Sequence, residues 1–478
     1  MRLNMKFATY TLGCKVSQYE SEAVAEALME YGFHRVDFSE EADVYVINTC
    51  TVTAESDAKS RKYIRRALKK NPAATVAVMG CYSQRAALEV AGIEGVSLVF
   101  GTADKMLLPP LAYRIFAERS GDTLVVGRFN SDVLLPLEFK MGFGGEADEN
   151  TRKCYELLTK PLDLPLVLTK SLDDEGFENM KITRPQRTRA YVKIEDGCES
   201  KCTYCAIAAA RGPVRSKCPR DVIEEVEGLA KSGTREIVMT CIETGSYGAD
   251  FTEDYDLGDL IRELDERGSC QRIRLGSLAP ELMGERFIGK VRDTKILAPH
   301  FHLSMQSGSD SVLRRMKRRY NVEMAMRNMA LIREAFPTAT FTTDLMVGFP
   351  GETEEEFLET CDLVSRAGFL DCHVFAYSRR AGTPAADYEG QVPEDVKRAR
   401  SEALIKHKNA VRDSVLEEIC KRGEPISCIF EVKSGGFWTA HSDTFAEVRA
   451  ESDEDLSGQM RDVIPESHKD GIIYGKVL

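Results

Sequence analysis

The chain has 478 residues, 43% hydrophobic and 29% charged, with a formal net charge of −12. One hydrophobic core stops growing well short of this length, so two or three domains are expected, in an ordinary soluble protein. The negative balance excludes a uniformly basic, non-specific nucleic-acid binder, and any such contact has to come from local patches. The start, Met-Arg-Leu-Asn-Met-Lys-Phe-Ala-Thr-Tyr, has no apolar region with a small-residue cleavage site, and no later run approaches a membrane span. A cytoplasmic location without a membrane partner is the expectation. The chain's 14 cysteines, lacking an export signal, point to metal ligation or buried thiols rather than a disulfide framework.

Lys6 to Leu12 is apolar and β-leaning, and Tyr19 to Tyr31 follows with Val24, Ala27 and Leu28 at helical spacing. Asp43 to Asn48 predicts a second strand, Asp57 to Lys70 a second helix, and Thr75 to Met79 a third strand. This alternation predicts an α/β domain over 1–129, a Rossmann-like open sheet whose post-strand loops gather at one edge. Cys14, Cys50 and Cys81 each sit just beyond a strand, in Leu-Gly-Cys-Lys, Asn-Thr-Cys-Thr and Met-Gly-Cys-Tyr, and are predicted to converge. Taken singly, separated cysteines are inert buried thiols or ligands. Their shared position after strands favours ligation.

Residues 130–188 lose this regularity, with Gly142, Gly144 and Gly145 ahead of acidic, proline-containing sequence, and predict an insertion or linker of unusual length. Over 189–417 strand-like runs recur between helical ones: Ala190 to Ile194, Glu236 to Thr240, Arg272 to Leu275, Phe301 to Met305, Phe341 to Val347 and Cys372 to Ala376. Such βα units curl into a full or partial barrel with its chemistry at the carboxyl ends of the strands. Over 418–478, short strands at Ile426 to Glu431, Phe445 to Val448 and Ile472 to Leu478 between Gly, Ser and Asp turns predict a small β-barrel.

Cys198, Cys202 and Cys205 follow the first barrel strand with Cys-x3-Cys-x2-Cys spacing. Three thiolates hold three irons of a cubane cluster and leave the fourth open for a small molecule, whereas a fully ligated cluster usually only carries electrons. The alternative, a zinc knuckle, lacks the fourth ligand that structural zinc requires. This spacing, with an aromatic residue before the last cysteine, resembles the radical S-adenosylmethionine (SAM) enzymes. In them the open iron chelates SAM, and cleavage of SAM gives a 5'-deoxyadenosyl radical.

The likeness extends further. Thr11 to Ser21, Asn48 to Thr53 and Gly80-Cys81-Tyr82 resemble the N-terminal domain of the methylthiotransferases. Asp196-Gly197-Cys198, Ala210 to Ser216, His302 to Asp310 and Val347 to Glu352 resemble their radical SAM domain, which implies a partial (β/α) barrel. Ala210 to Ser216 in particular resembles the MtaB subfamily, which acts on N6-threonylcarbamoyladenosine beside the tRNA anticodon. The resemblance implies two 4Fe-4S clusters, the second held by Cys14, Cys50 and Cys81, and two SAM per turnover. One SAM methylates sulfur and the other yields the radical that takes hydrogen from C2 of the adenine. The implied partners are the tRNA anticodon stem-loop, a flavodoxin- or ferredoxin-type reductant and a sulfur source. The alternatives are the same chemistry on isopentenyladenosine in tRNA or on a ribosomal-protein aspartate, or a non-catalytic iron–sulfur protein that binds RNA or senses redox state.

Further SAM contacts are expected at Tyr204 near the adenine, at Arg211 on a carboxylate, and at Ser277, Gly348 and Glu352 in turns after barrel strands. Glycines and proline that merely permit tight βα turns are the plain alternative. Ala206 to Ala210 and Thr240 to Gly248 depart from the family pattern, and Cys241 is a buried structural thiol or a pocket thiol. Lys59, Arg61, Lys62, Arg65, Arg66, Lys69 and Lys70 share one helix, and Arg314, Arg315, Lys317, Arg318 and Arg319 crowd another segment. Each run is a solvated face or part of a phosphate-binding rim. The C-terminal module resembles a TRAM domain, an RNA-binding barrel, in which Phe437 and Trp438 pack the barrel or stack on a base.

Overall fold

Every residue of Val44–Thr49 is buried, as it must be in a parallel strand covered on both faces. In this computed structural model, residues 5–120, 157 and 162–478 are described, and the chain divides into two units. The first comprises Met1–Ile182 together with Ala209–Gly212, and the second Thr183–Ala208 with Pro213–Leu478.

The first unit is built on a six-stranded sheet: β1 (Lys6–Thr11), β2 (His34–Arg35), β3 (Val44–Thr49), β4 (Thr75–Gly80), β5 (Val96–Phe100) and β6 (Leu166–Leu168). The order is β2-β1-β3-β4-β5-β6, and all neighbours run parallel. Helix α1 (Lys15–Glu30) begins earlier than its apolar spacing announces, because its first turns bury polar side chains, Ser17, Glu20 and Ser21 among them. Helix α2 (Ala54–Lys70) also begins early, where the Thr53 side chain accepts from Ser56 N at 3.1 Å and caps it. Ile64 and Ala67 of α2 pack onto Tyr45, Ile47, Val76 and Val78 of the sheet. A short helix α3 (Cys81–Arg85) follows β4 directly. Strand β6 falls in the stretch expected to be a linker and pairs with β5, Leu98 opposite Leu166. Gly142, Gly144 and Gly145 lie outside the described residues.

In the second unit the six expected barrel strands are present as β7 (Arg189–Lys193), β8 (Glu236–Thr240), β9 (Arg272–Leu275), β11 (His300–Gln306), β12 (Thr340–Val347) and β13 (Asp371–Ala376). A seventh, β10 (Ser277–Leu278), follows Gly276. The strands form two parallel arcs, β9-β8-β7 and β10-β11-β12-β13, and Ile273 of β9 forms an isolated bridge with Leu297, just ahead of β11. The result is the partial (β/α) barrel that the resemblance implies. Helix α4 (Glu354–Ala367) opens with a capping box between Thr353 and Glu356, and α5 (Glu394–Arg422) runs on to Gly423, whose positive φ of 62° ends it.

After α5 come β14 (Ile426–Ser434), β15 (Phe437–Ser442), β16 (Glu447–Glu451), β17 (Met460–Lys469) and β18 (Ile472–Val477), closed in the order β14-β15-β16-β18-β17. This is the small barrel expected of a TRAM-like domain. Trp438 is buried in its core beside Phe430 and Val448, so this side chain packs the barrel. The barrel is joined to the central sheet through Glu236 of β8. Its fully buried carboxylate takes Arg274 Nε at 2.8 Å and Arg272 Nη1 at 3.2 Å. Arg274 in turn donates to the carbonyls of Ser442 and Asp443 at 3.0 and 2.9 Å, and Arg272 to Ser427 Oγ at 2.6 Å. Among the described residues no helix is long and apolar enough to cross a membrane.

Candidate functional site

The register of the first sheet decides where its cysteines go. Thr11 pairs with Asn48 and Thr49 with Gly80, so β1, β3 and β4 end side by side on the carboxyl edge. Cys14 is the N-cap of α1, Cys50 directly follows β3, and Cys81 opens α3. Gly13, at φ 109°, makes the turn that seats Cys14; a Cβ there would stand 3.1 Å from Cys50 Cβ. Burial raises the Cys50 thiol and pushes Cys81 up to about 11. In both, a charge on Cys14 adds to the rise and the Arg211 cation opposes it, so the three thiols and one guanidinium share a single field.

Arg211, expected on a cofactor carboxylate, is fully buried in this unit, and the carboxylate it holds is that of Glu20. Nη1 donates to Oε1 at 2.7 Å and Nη2 to Oε2 at 3.2 Å, while Nε donates to Cys81 Sγ at 3.3 Å. Lys105, also fully buried, lies 3.3 Å from Glu20 Oε1 and 3.2 Å from Glu178 Oε2. Sequence reasoning passed over Glu20 and Lys105. The available signal was a glutamate in line with Val24 and Ala27 on the buried stripe of α1.

In the second unit the loop after β7 carries Cys198, Cys202 and Cys205. It is pinned by Thr203, whose N and Oγ1 donate to the carbonyls of Met316 and Arg315 at 3.1 and 2.9 Å, and whose own carbonyl accepts from Ala385 N at 2.9 Å. Cys202 Sγ accepts from Arg318 Nη1 at 3.1 Å, and Cys205 Sγ from Ile207 N at 3.3 Å. Burial pushes the Cys198 thiol up to about 11 and raises that of Cys205. Tyr204 packs edge-on against Phe349, with ring centres 6.5 Å apart, beside Met316 and Met346. Arg318, grouped above with a surface cluster, thus turns inward, and Arg315 pairs with Glu356 at 2.6 Å.

Ser277 lies in β10 opposite His302. Gly348, at φ 71°, donates its N–H to Glu352 Oε2 at 2.6 Å, and the same oxygen accepts from Arg400 Nη1 at 2.8 Å. Glu352 therefore braces the turn after β12, and no hydrogen bond links Ser277, Gly348 or Glu352 to the Cys198 loop among the described residues. Two further carboxyls lie buried near that loop. Glu195 accepts from the N–H groups of Ile242 and Glu243 at 3.1 and 3.2 Å, and burial with Asp196 lifts it well above the carboxylate range. Glu243 accepts from Ala279 N at 2.8 Å and is raised by burial to about 7. Cys241 donates to Thr244 Oγ1 at 3.0 Å as a buried thiol.

Among the described residues no three His, Cys, Asp or Glu side chains gather closely enough to hold one metal ion. A cubane puts each thiolate on a different iron, so both cysteine trios suit a cluster better than a single ion, whose donors share one centre about 2.0–2.3 Å away. On α2, Lys62, Arg65, Arg66 and Lys69 are exposed, recur at i, i+3, i+4 and i+7, and make no ion pair among the described residues. Lys59 and Arg61, by contrast, pair with Glu55 and Glu89 at 2.7 and 3.1 Å. Beside this stripe, Tyr10 stacks on Tyr63 at 3.5 Å, and a cleft of about 550 Å³ opens between Tyr10, Arg35, Phe38 and Arg66.

Residues 192–364 match the Radical SAM superfamily, and residues 6–101 match the family described as Uncharacterized protein family UPF0004. The chain is 37% identical over 463 residues to the threonylcarbamoyladenosine tRNA methylthiotransferase MtaB of Bacillus subtilis, covering 95% of this chain and 92% of that protein. It is 33% identical to the MtaB of Aquifex aeolicus, over 84% of this chain and 87% of that one. To the tRNA-2-methylthio-N(6)-dimethylallyladenosine synthase of Acetivibrio thermocellus it is 31% identical, over 85% and 76%. Among solved structures, the radical SAM methyltransferase TsrM from Kitasatospora setae, with cobalamin and a 4Fe-4S cluster bound, superposes with a TM-score of 0.52. That match covers 80% of this chain and 77% of TsrM at 15% identity, a likeness of fold alone.

Proposed function

Since the chain belongs to the radical SAM methylthiotransferases and, within them, to the MtaB group, we propose that it adds a methylthio group to C2 of N6-threonylcarbamoyladenosine beside the tRNA anticodon. SAM and two 4Fe-4S clusters are the cofactors of this family. One observation carries the proposal: besides Cys198, Cys202 and Cys205, a second trio, Cys14, Cys50 and Cys81, is gathered at the edge of one parallel sheet. A radical generator alone needs one such trio. A second, with its own open iron, suits delivery of sulfur.

When bound, the two clusters and two SAM molecules supply the radical and the methylated sulfur. The protein's part is to hold and shield them. Cys198, Cys202 and Cys205 ligate the SAM-binding cluster, and Arg318 donates to the Cys202 sulfur. Ser277 and the Gly348–Glu352 turn border the SAM pocket. Tyr204, packed on Phe349, fixes the loop from below. Cys14, Cys50 and Cys81 ligate the second cluster. The unpaired stripe on α2 suits RNA phosphates despite the chain's net charge, and the C-terminal barrel suits RNA as well. The remaining partners are a flavodoxin- or ferredoxin-type reductant and a sulfur source, in the cytoplasm.

The test compares tRNA nucleosides from cells lacking the protein with those from cells given the wild type or a Cys198→Ala, Cys202→Ala, Cys205→Ala variant. Methylthiolated threonylcarbamoyladenosine is expected only with the wild type. The same group on isopentenyladenosine, or on a ribosomal-protein aspartate, would replace the substrate assignment. Failure of anaerobically loaded protein to release 5'-deoxyadenosine from SAM and dithionite would remove the enzymatic one.

A further inference from the structure

We propose that Arg211 is a positioning residue for the second cluster: it holds the Cys81 thiolate through an N–H···S bond and raises the reduction potential of the cluster bound there. The inference rests on the assignment of Cys14, Cys50 and Cys81 as ligands.

A wholly buried guanidinium is costly unless each of its donors is engaged. Arg211 spends Nη1 and Nη2 on the two oxygens of Glu20 and directs Nε at Cys81 Sγ, 3.3 Å away. The bidentate pairing fixes the plane of the fork, so Glu20 aims the third donor at the sulfur. Lysine is a point charge on a flexible stem and cannot bind both carboxylate oxygens and the sulfur in one geometry.

Charge bookkeeping around Cys81 points the same way. Arg211, Lys105 and Glu20 have no exposed side-chain surface and together carry two positive charges and one negative. Glu178, at the outer end of Lys105, is 18% exposed and meets part of its charge with solvent. The Cys81 sulfur is a further acceptor of this buried group. Arg211 Nε is the donor that reaches this sulfur, at 3.3 Å. Ligand sulfurs must be deprotonated. Donors and cations at a ligating sulfur stabilise the more negative, reduced cluster and so raise its potential.

The experiment uses the full chain carrying Cys198→Ala, Cys202→Ala and Cys205→Ala, so that only the second cluster is loaded, and adds to it either Arg211→Lys or Glu20→Gln with Arg211→Gln. The double variant removes both charges of the pair at once and leaves no lone buried glutamate or arginine. Iron content, circular dichroism and an EPR-monitored redox titration are measured anaerobically. The reduction equilibrium is expected to shift at least tenfold toward the oxidised cluster in both variants, a fall of about 59 mV for one electron. Loss of iron from a variant whose circular dichroism matches the parent also supports the role. An unmoved potential in folded, iron-loaded variants overturns it, as does joint loss of fold and iron in both variants, which would make Arg211 purely structural. A parent that binds no iron would overturn the second-cluster assignment itself, and this inference with it.

Discussion

The Asn48 side chain lies against Gly80 where β3 and β4 end, with no room for a side chain on the glycine. A Cβ on Gly80 would collide with the Asn48 amide oxygen and lie 2.5 Å from the Thr49 carbonyl oxygen. Gly80 also sits at φ 105°, a conformation that only glycine adopts without strain. The residue before Cys81 is therefore glycine for two independent steric reasons. Gly80→Ala is expected to destabilise the first unit by on the order of 1–3 kcal/mol from backbone strain alone. It should also lower iron content from two clusters toward one. Unchanged iron and melting temperature would refute the link between this turn and the Cys81 site.

Replacing Lys62, Arg65, Arg66 and Lys69 together by glutamine should leave stability nearly unchanged, because all four are exposed and make no ion pair among the described residues. Affinity for tRNA should fall, and the slope of log K against log salt should shrink by about 3, at roughly 0.7–0.9 per lost phosphate contact. Fluorescence anisotropy across a salt series reads both. An unaltered slope would mean that the stripe faces solvent in the complex.

Glu356 accepts both nitrogens of the Arg315 fork, at 2.8 and 2.6 Å, and accepts from the Ser311 hydroxyl. These bonds, Arg315 first, hold its carboxyl at about 2 instead of the usual 4.5. A carboxyl lowered in the folded state contributes stability that is full above pH 4.5 and is lost as pH falls toward 2. Glu356→Gln should therefore melt lower than wild type at neutral pH and close that gap in acid. Parallel melting curves from pH 7 to 2.5 would contradict the assignment.

Glu236→Gln leaves Arg272 and Arg274 buried without their counter-charge. Removing one partner of such a group costs about 3–5 kcal/mol. Because both arginines also hold carbonyls of the C-terminal barrel, protease sensitivity near Ser442 and Asp443 should rise along with the loss of stability. A variant as stable as wild type would show that solvent reaches these charges.

Strands were legible where burial leaves a sequence mark. Val44 to Ile47 and Val76 to Met79 are apolar without a break, and the cysteines beyond them converge because parallel register permits little else. Strand β6 was hidden by its length, three residues amid loop sequence. The helix starts were hidden because Ser17, Glu20 and Thr53 act through polar contacts that leave no apolar periodicity. Among the site residues, Arg318 looked like part of a surface run and Arg211 like a contact to a cofactor carboxylate. An arginine is recognised as buried only when its acceptors, here Cys202 Sγ, Cys81 Sγ and the Glu20 carboxylate, are known from far along the chain.

The Glu236 cluster has a mechanical consequence. The arginines that cross from the central sheet end on main-chain carbonyls of the barrel, and the His300 ring stacks on Phe445 with centres 4.4 Å apart, so this seam is cross-braced at several points. On the proposed reading, in which the barrel grips the nucleic acid, this bracing works as a calliper does. Stem length between the grip and the reacting base becomes a criterion of selection, and an anticodon stem lengthened or shortened by one base pair should be modified poorly even when every contacted nucleotide is kept.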